Sequence, residues 1–494
     1  MTIVAADLKL FASEFPLDVF YGGGRMTASV VQNGVENNLF PDIDAGARAN
    51  GRVQLRKMYA AVVSANDDSL AGAQLDLNLA PADSAVGVVA FQFGDQTTTR
   101  AAAAELLAAT VTGTLSLPLS GGGTITYASL PNSPYVTDTF AGTLTARTSP
   151  SEMGHATTGT PLGVGTLIGR EDQVARLYSL GATVGQYIPS PTLASIAHVV
   201  SVAGASGAYV YTMSEPMNFG PQGGGADPAW YVLRVNPSAS RCVGTKLATV
   251  ASTASAITVS GVEARVTPNI TPYPLVVNGI DPTRGLRSNR GRVPIFRPGE
   301  GVVLRNGVTT EIATVLSVGY HGVLTFIAPL VNIYPIGTTV SSLLPLGDMQ
   351  AVVGISFAQQ TWTRLFTDAI VGNTTSANYN RVAFPITTTN LGAAPDRYAL
   401  VFTSSTEFKL FSEQFGQIAS GNITTAFLPL NPLTSTPLFT IPSGGWGSGW
   451  GVGNVFRLNT IGARAPIWVA RTVSPSAPGG LDGSTWVLRG SVNA

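Results

Sequence analysis

The chain is short of charge. Asp, Glu, Lys and Arg make up 11% of its 494 residues, against about 25% in an average soluble domain. The 28 basic and 28 acidic residues cancel. That balance argues against a general nucleic-acid binder, which needs excess positive charge to displace counterions. It also leaves the surface little electrostatic protection against association, and points to a surface covered by other subunits. Cysteine is scarcer still. Cys242 stands alone, which excludes an internal disulfide framework and a multi-cysteine metal site; it reads as a small buried hydrophobe. The start, MTIVAADLKLFASEF, has no basic segment followed by an apolar one, so it does not read as a signal peptide. The expected setting for folding is a reducing cytoplasm.

Catalytic signatures are missing as well. The three histidines, His155, His198 and His321, form no HExxH and no close pair. Neither a phosphate-binding GxxxxGK[ST] nor a GxSxG nucleophile elbow occurs. GGGRMT (22–27) and SGGGT (120–124) read as turns, because glycine commonly punctuates turns. Glu152 beside His155, and the neighbours Asp67-Asp68 and Glu171-Asp172, read as loop or helix-start residues, not as acid/base pairs. The expectation is no enzyme activity, no cofactor and no metal.

What the chain has is strand signal. Hydrophobic residues make up 45% and Gly and Pro number 55 and 32; this is too apolar for global disorder, and glycine has no collagen period. AQLDLNLAPA (73–82) alternates at Leu75, Leu77 and Leu79, the mark of a half-buried strand. VVAFQF (88–93), VTGTLSLPL (111–119), GGGTITYASL (121–130) and TFAGTLTART (139–148) continue the pattern. Helix signal is confined to 97–109, with Thr99 as N-cap, and to 169–181, where acidic residues open and Gly181 closes the segment. The charge-free run 193–211 is long enough to span a bilayer, but its small polar interruptions favour strand and turn. Four segments follow: 1–95, an N-terminal β region for assembly and docking; 96–285, a β-rich centre with short helices; 286–346, a small β-barrel with a hairpin around Asn306-Gly307; and 347–494, a C-terminal β domain. The predicted fold class is mainly β, several small sandwich or barrel modules with one or two short helices.

Two clusters are candidate contact sites. Arg284, Arg287, Arg290, Arg292 and Arg297 gather in DPTRGLRSNRGRVPIFRPG. Poor aromatic interleaving disfavours nucleic acid; an acidic protein neighbour or a solvated loop suits Arg better. Trp446 and Trp450 lie in IPSGGWGSGWGVGNVFRLNT (441–460). They read, in order of preference, as a plug in their own domain, a subunit anchor or a sugar-stacking platform.

MTIVAADLKLFASE, GGGRMT, GVENNLFPDI (34–43), NGRVQLRKMYAAV (50–62), GRVPIFRPGEGVVLRN (291–306) and GGWGSGWGVGNVFRLNTIGARAPIWVARTV (444–473) resemble a family of uncharacterised virion structural proteins of tailed bacteriophages. The chain departs from that pattern at FPLDVFYGGG (15–24), which has fewer acidic residues before the glycines. The resemblance implies a subunit of the tail tip or baseplate, assembled in the host bacterial cytoplasm. Its implied partners are other tail or baseplate proteins and further copies in a homo-oligomeric ring, with no nucleic acid and no membrane span. Host-receptor binding, a cell-wall or polysaccharide hydrolase and, less naturally, head decoration are the alternatives. Trp446, Trp450, Arg287, Arg290, Arg292 and Arg297 are the expected contact residues.

Overall fold

The computed structural model describes residues 2–50, 52–81, 83, 86–103, 115–118, 124–127, 135–138, 140–147, 149, 151–170, 196–213, 230–235, 241–247, 256–260, 263–268, 275–278, 292–294, 296, 299–318, 323–366, 370–473 and 483–492. These residues are mainly β, in antiparallel sheets. Helix is limited to Ala45–Asn50, the turn at 100–103 and short 3-10 turns. Within the predicted helix 97–109, residues 100–103 are helical and 104–109 lie outside the described residues. At 169–181 the expectation fails where it is described. Gly169 and Arg170 close the strand Leu167–Arg170, paired on both sides, and 171–181 lie outside the described residues.

The largest sheet has eleven strands. At one end six of them close a ring: Arg241–Leu247, Ala256–Ser260, Val323–Phe326, Thr309–Val318, Gly301–Asn306 and Thr339–Ser342, which pairs back to the first. Val302, Leu304, Val315, Leu324, Phe326 and Tyr334 fill it. In its hairpin Asn306 is still paired, to Thr309, and Gly307 takes φ +58°. A lone positive φ at the first turn position is the glycine-first form of a two-residue hairpin. From Arg241–Leu247 the sheet continues through Val86–Phe91, Arg464–Val473, Arg52–Val62 and Leu8–Phe15 to Gly23–Val30. A three-stranded sheet, Leu344–Met349, Leu70–Leu79 and Thr485–Val492, packs Leu70, Leu75 and Leu77 onto Met58, Ala60, Val88 and Val469. Trp468, Leu55 and Phe91 form a second cluster in this sheet, with Ala103. Lys57 is fully buried there, donating to the carbonyls of Asp95 (2.7 Å) and Thr98 (3.2 Å); burial draws its pKa down to about 7.

Leu70–Leu79 departs from its expected alternation: Leu79, expected on the buried face, is exposed. Leu75 and Leu77 are buried, but so is Asp76 between them, at 0% exposure. Its carboxylate accepts from Arg305 Nη2 at 2.8 Å, and Arg489 Nε lies 3.2 Å away. A buried charge is tolerable only when paired in this way.

Besides two small sheets, one of Leu275–Asn278, Glu263–Pro268 and Arg292–Pro294 and one of Leu115–Pro118 and Thr124–Tyr127, the described residues form two further units. A seven-stranded sheet contains the hairpin Ile196–Ala205 and Ala208–Met213, so the charge-free run 193–211 is strand and turn where it is described. No helix among the described residues is long and apolar enough to cross a membrane. The second unit is a five-stranded sheet in the order Val352–Gln359, Val455–Ile461, Asp396–Phe402, Glu407–Ser412 and Gly416–Asn422, with an aromatic core.

Replacing Asp76 by Ala leaves two partly buried guanidiniums unneutralised. The expected loss is about 3–5 kcal/mol in chemical denaturation. Exchanging Asp76, Arg305 and Arg489 together for apolar residues of similar volume should cost far less.

Candidate functional site

The five-stranded unit meets the eleven-stranded sheet at a cleft of about 350 Å³. Tyr59 projects into it from Arg52–Val62, Gln96 from the turn after Val86–Phe91, and Arg464 from the start of Arg464–Val473. Asp396, Glu413 and Gln414 come from the other side. Gln96, Arg464 and Gln414 join the two units. Gln96 Nε2 and Gln414 Nε2 both donate to the carbonyl of Pro395, the latter at 2.8 Å, and Arg464 donates to the carbonyl of Ala393. Arg25 donates to the side chain and carbonyl of Gln414, both at 2.9 Å, with its guanidinium 4.5 Å from the centre of the Phe415 ring. Nearby, Asn390 Nδ2 donates to Ser64 Oγ and the Asp68 carbonyl, both at 2.9 Å, and its Oδ1 accepts from Ala351 N. Asp67-Asp68 thus belong to a loop whose carbonyls receive Asn390 and Gln350.

Electrostatics follow burial. Desolvation pushes the Asp396 carboxyl up to about 6, against the opposing effect of hydrogen bonds from Ser412 Oγ and Arg397 N. Burial raises the Tyr59 phenol and draws Arg464 down to about 10. Asp95 behaves oppositely: burial works to raise it, but hydrogen bonds from Thr97 and Thr98 and the Lys57 charge prevail and lower it. Glu413 is held by two parallel bonds from Arg397, 2.7 and 3.0 Å. The arrangement is chemically a joint: Gln96, Arg464 and Arg25 bond across it, while Asp396 and Glu413 are held inside the five-stranded unit. Among the described residues no three His, Cys, Asp or Glu side chains gather as metal ligands.

The tryptophans lie in their own domain. Trp450 is 6% exposed and stacks on Phe402 with centroids 4.2 Å apart and planes at 10°. Trp446 meets Trp450 edge-on at 5.3 Å and Tyr379 at 4.9 Å. A Cβ on Gly445 would come within 2.3 Å of the Tyr379 ring, so glycine permits that approach. The preferred sequence reading, a plug, fits this geometry, whereas a sugar platform would require an open indole face. Arg292 begins the strand Arg292–Pro294, with Arg265 as its partner in the neighbouring strand. Arg284, Arg287, Arg290 and Arg297 lie outside the described residues. Glu152 pairs with Arg147 (3.3 Å), whereas His155 Nε2 lies 2.7 Å from the Ala141 carbonyl and Nδ1 faces Tyr211 Oη. Both lie on the strand Glu152–Ala156, not in the expected loop, and their side chains engage different partners. Cys242 is buried, its thiol pushed up to about 12.

Two apolar surfaces were not singled out from the sequence. One is the loop after Leu8–Phe15, where Leu17, Phe20 and Tyr21 are exposed, Phe20 by 65%. Asp18 fixes the loop: Oδ1 accepts from Leu55 N (3.1 Å) and from Arg100 Nε. The carbonyls of Phe20 and Gly22 accept from Ala101 N (3.0 Å) and Arg100 N (2.6 Å). The other surface is one end of the six-stranded ring. There Glu311 accepts from Val331 N (2.7 Å), Asn332 N (3.0 Å) and Tyr334 Oη (3.4 Å), turning Leu330 and Tyr334 into the core. Val331, Ile333 and Ile336 face outward, Ile333 by 68%; Ile312 and the hairpin-tip residue Val308 are exposed as well. Between Asn306 and Gly347, Glu311 is the only formally charged residue. That was the available sequence signal: a single charge in a long apolar segment, spent internally.

Compared with family models, curated proteins and solved structures, the chain matches none of them.

Trp450→Ala should destabilise the five-stranded unit by about 3–5 kcal/mol. Urea unfolding followed by tryptophan fluorescence checks this; unchanged stability would return Trp450 to the role of a contact residue. Asp396 gives a pH signature. The folded carboxyl keeps its proton to about pH 6, whereas the unfolded chain releases it near pH 4. The folded state therefore binds more protons between those values, so this group's contribution falls as pH rises through the window, by at most about 1.4 kcal/mol per pH unit. Denaturation midpoints from pH 4 to 6 should lose this slope in Asp396→Asn.

Proposed function

We propose that the protein is a structural subunit of a tailed-phage virion, placed in the tail tip or baseplate, where it holds neighbouring proteins or fibres in register. The observation that carries this reading is the pair of apolar, charge-poor surfaces, each held rigid by an internal carboxylate. Monomeric proteins seldom leave contiguous large apolar side chains in water unless another molecule covers them. Preorganised surfaces bind with less loss of conformational freedom, which suits a part that must keep its neighbours in fixed positions. The cross-linked joint supports the same reading, because it transmits position from the ring of strands to the five-stranded unit. The resemblance in sequence phrases supplies the phage setting.

The test is location. In particles purified from the phage that encodes the chain, quantitative mass spectrometry should find it in a fixed copy number. Antibody labelling under the electron microscope should fall on the distal end of the tail. Absence from mature particles would overturn the proposal, and labelling of the head would replace it with a decoration role.

A further inference from the structure

We propose that Arg56 and Arg471 form a binding site for a doubly charged phosphate group, free or as a terminal monoester. Strand register brings the two together. Where Arg52–Val62 pairs with Arg464–Val473, Gln54 stands opposite Arg471 and Arg56 opposite Val469. Alternate residues of a strand share a face, so Gln54, Arg56 and Arg471 lie on one face. Arg56 and Arg471 are then diagonal neighbours, with backbones about 7–8 Å apart. Both guanidiniums lie within cation–π reach of the Phe40 ring, their carbons 5.9 and 4.9 Å from its centre.

These two cations lack what others in the molecule have. Arg305 and Arg489 share Asp76, and Arg100 has Asp18. Arg471 finds only neutral oxygens: its Nε donates to Gln54 Oε1 at 3.0 Å, and its Nη2 to the same oxygen and to the Pro41 carbonyl, the latter at 2.6 Å. Arg56 Nε is buried without a hydrogen-bond partner. The nearby carboxylates are committed or remote. Asp44 takes Arg52 at 3.1 Å, Asp18 is held by Arg100 and Leu55 N, and Asp42 is exposed. Burial draws Arg471 down to about 10, and the Arg56 and Arg52 charges add to this against Asp42 and Asp18. Burial lowers Arg56 too, with Asp18 opposing and Arg52 adding. Two half-buried like charges held side by side disfavour each other, and a bound anion relieves both.

Charge selects the anion. A phosphate monoester carries about −1.5 to −2 at neutral pH, with three strong acceptor oxygens, which matches two guanidiniums. Guanidinium forks also suit phosphate geometry. A lone carboxylate or a phosphodiester brings a single negative charge and would leave one arginine uncompensated. A nucleic-acid backbone needs a run of cations along its length, whereas this site is one pair. Gln54 supports the assignment. It is 4% exposed, and its amide oxygen occupies the place where a Glu would neutralise Arg471 from within. A neutral oxygen there orients the guanidinium and leaves its charge for an outside ligand.

Calorimetric titration of the full-length chain at fixed ionic strength tests this. The wild type should bind inorganic phosphate and glycerol 1-phosphate at a single site. Dimethyl phosphate and acetate, each singly charged, should bind about tenfold more weakly or not at all. Arg56→Gln removes one of the two charges, and Gln54→Glu supplies an internal carboxylate to Arg471. Each should weaken phosphate binding about tenfold or more. Each should also raise the thermal midpoint in phosphate-free buffer, because the like-charge pair is relieved; a residue that merely held the fold would lower it. Near-ultraviolet circular dichroism checks folding, and Arg56→Met replaces either variant that does not fold. A wild type that binds no phosphate would overturn the proposal. So would unchanged phosphate affinity in a folded variant, or equal affinity for phosphate and dimethyl phosphate. Binding of a single-stranded oligonucleotide but not of inorganic phosphate, abolished by Arg56→Gln, would overturn it in favour of a nucleic-acid contact.

Discussion

The antiparallel union of Arg52–Val62 with Arg464–Val473 holds the molecule together. It is in register over ten residue pairs, from Arg52 opposite Val473 to Ala61 opposite Arg464. Because of it, a strand late in the chain lies in the middle of the sheet that the first strands begin. The five-stranded unit is consequently an insertion. The chain leaves the sandwich after Leu344–Met349 and re-enters it at Arg464. Two chain crossings and the bonds of Gln96, Gln414, Arg25, Arg464 and Asn390 fix the inserted unit in place. A single tether would allow relative motion, which is the default for domains sharing a modest polar interface.

Charge is used sparingly, and several carboxylates serve the interior. Asp76 joins the ring of strands to the three-stranded sheet, Asp18 shapes the aromatic loop, and Glu311 closes one end of the ring. Each satisfies backbone donors or guanidiniums that burial would otherwise leave at a cost of about 1–3 kcal/mol apiece. The consequence for the outside is that apolar side chains at the loop and the ring end face water while the carboxylates beside them, Asp18 and Glu311, are engaged in internal bonds. Internal charge economy and external stickiness are two sides of one composition, and the proposed assembly role follows from both.

Local pattern was legible where it sufficed to decide structure. The Asn306-Gly307 hairpin, the strands at 88–93 and 455–473 and the rejection of a spanning helix at 193–211 needed only alternation and turn chemistry. Three things needed the third dimension. Asp76 sits among alternating leucines, and nothing in its neighbourhood announces Arg305 and Arg489, which are far away in the chain. The strand Leu167–Arg170 carries helix-opening chemistry beyond its end, yet two neighbouring strands claim it. The joint is built from residues such as Asn390, Gln414 and Gln96, whose types are common in loops and whose meaning is purely geometric. Trp446 and Trp450 were visible as unusual, but glycine spacing alone could not separate a core plug from an exposed anchor.

The account stands on the claim that the aromatic loop and the apolar ring end are covered when the protein does its work. Hydroxyl-radical footprinting of the free chain and of the chain within intact particles reads this directly, side chain by side chain. The account predicts a steep drop in labelling at Phe20, Tyr21, Ile333 and Ile336 on assembly. Equal labelling of those four residues in the two states would contradict it.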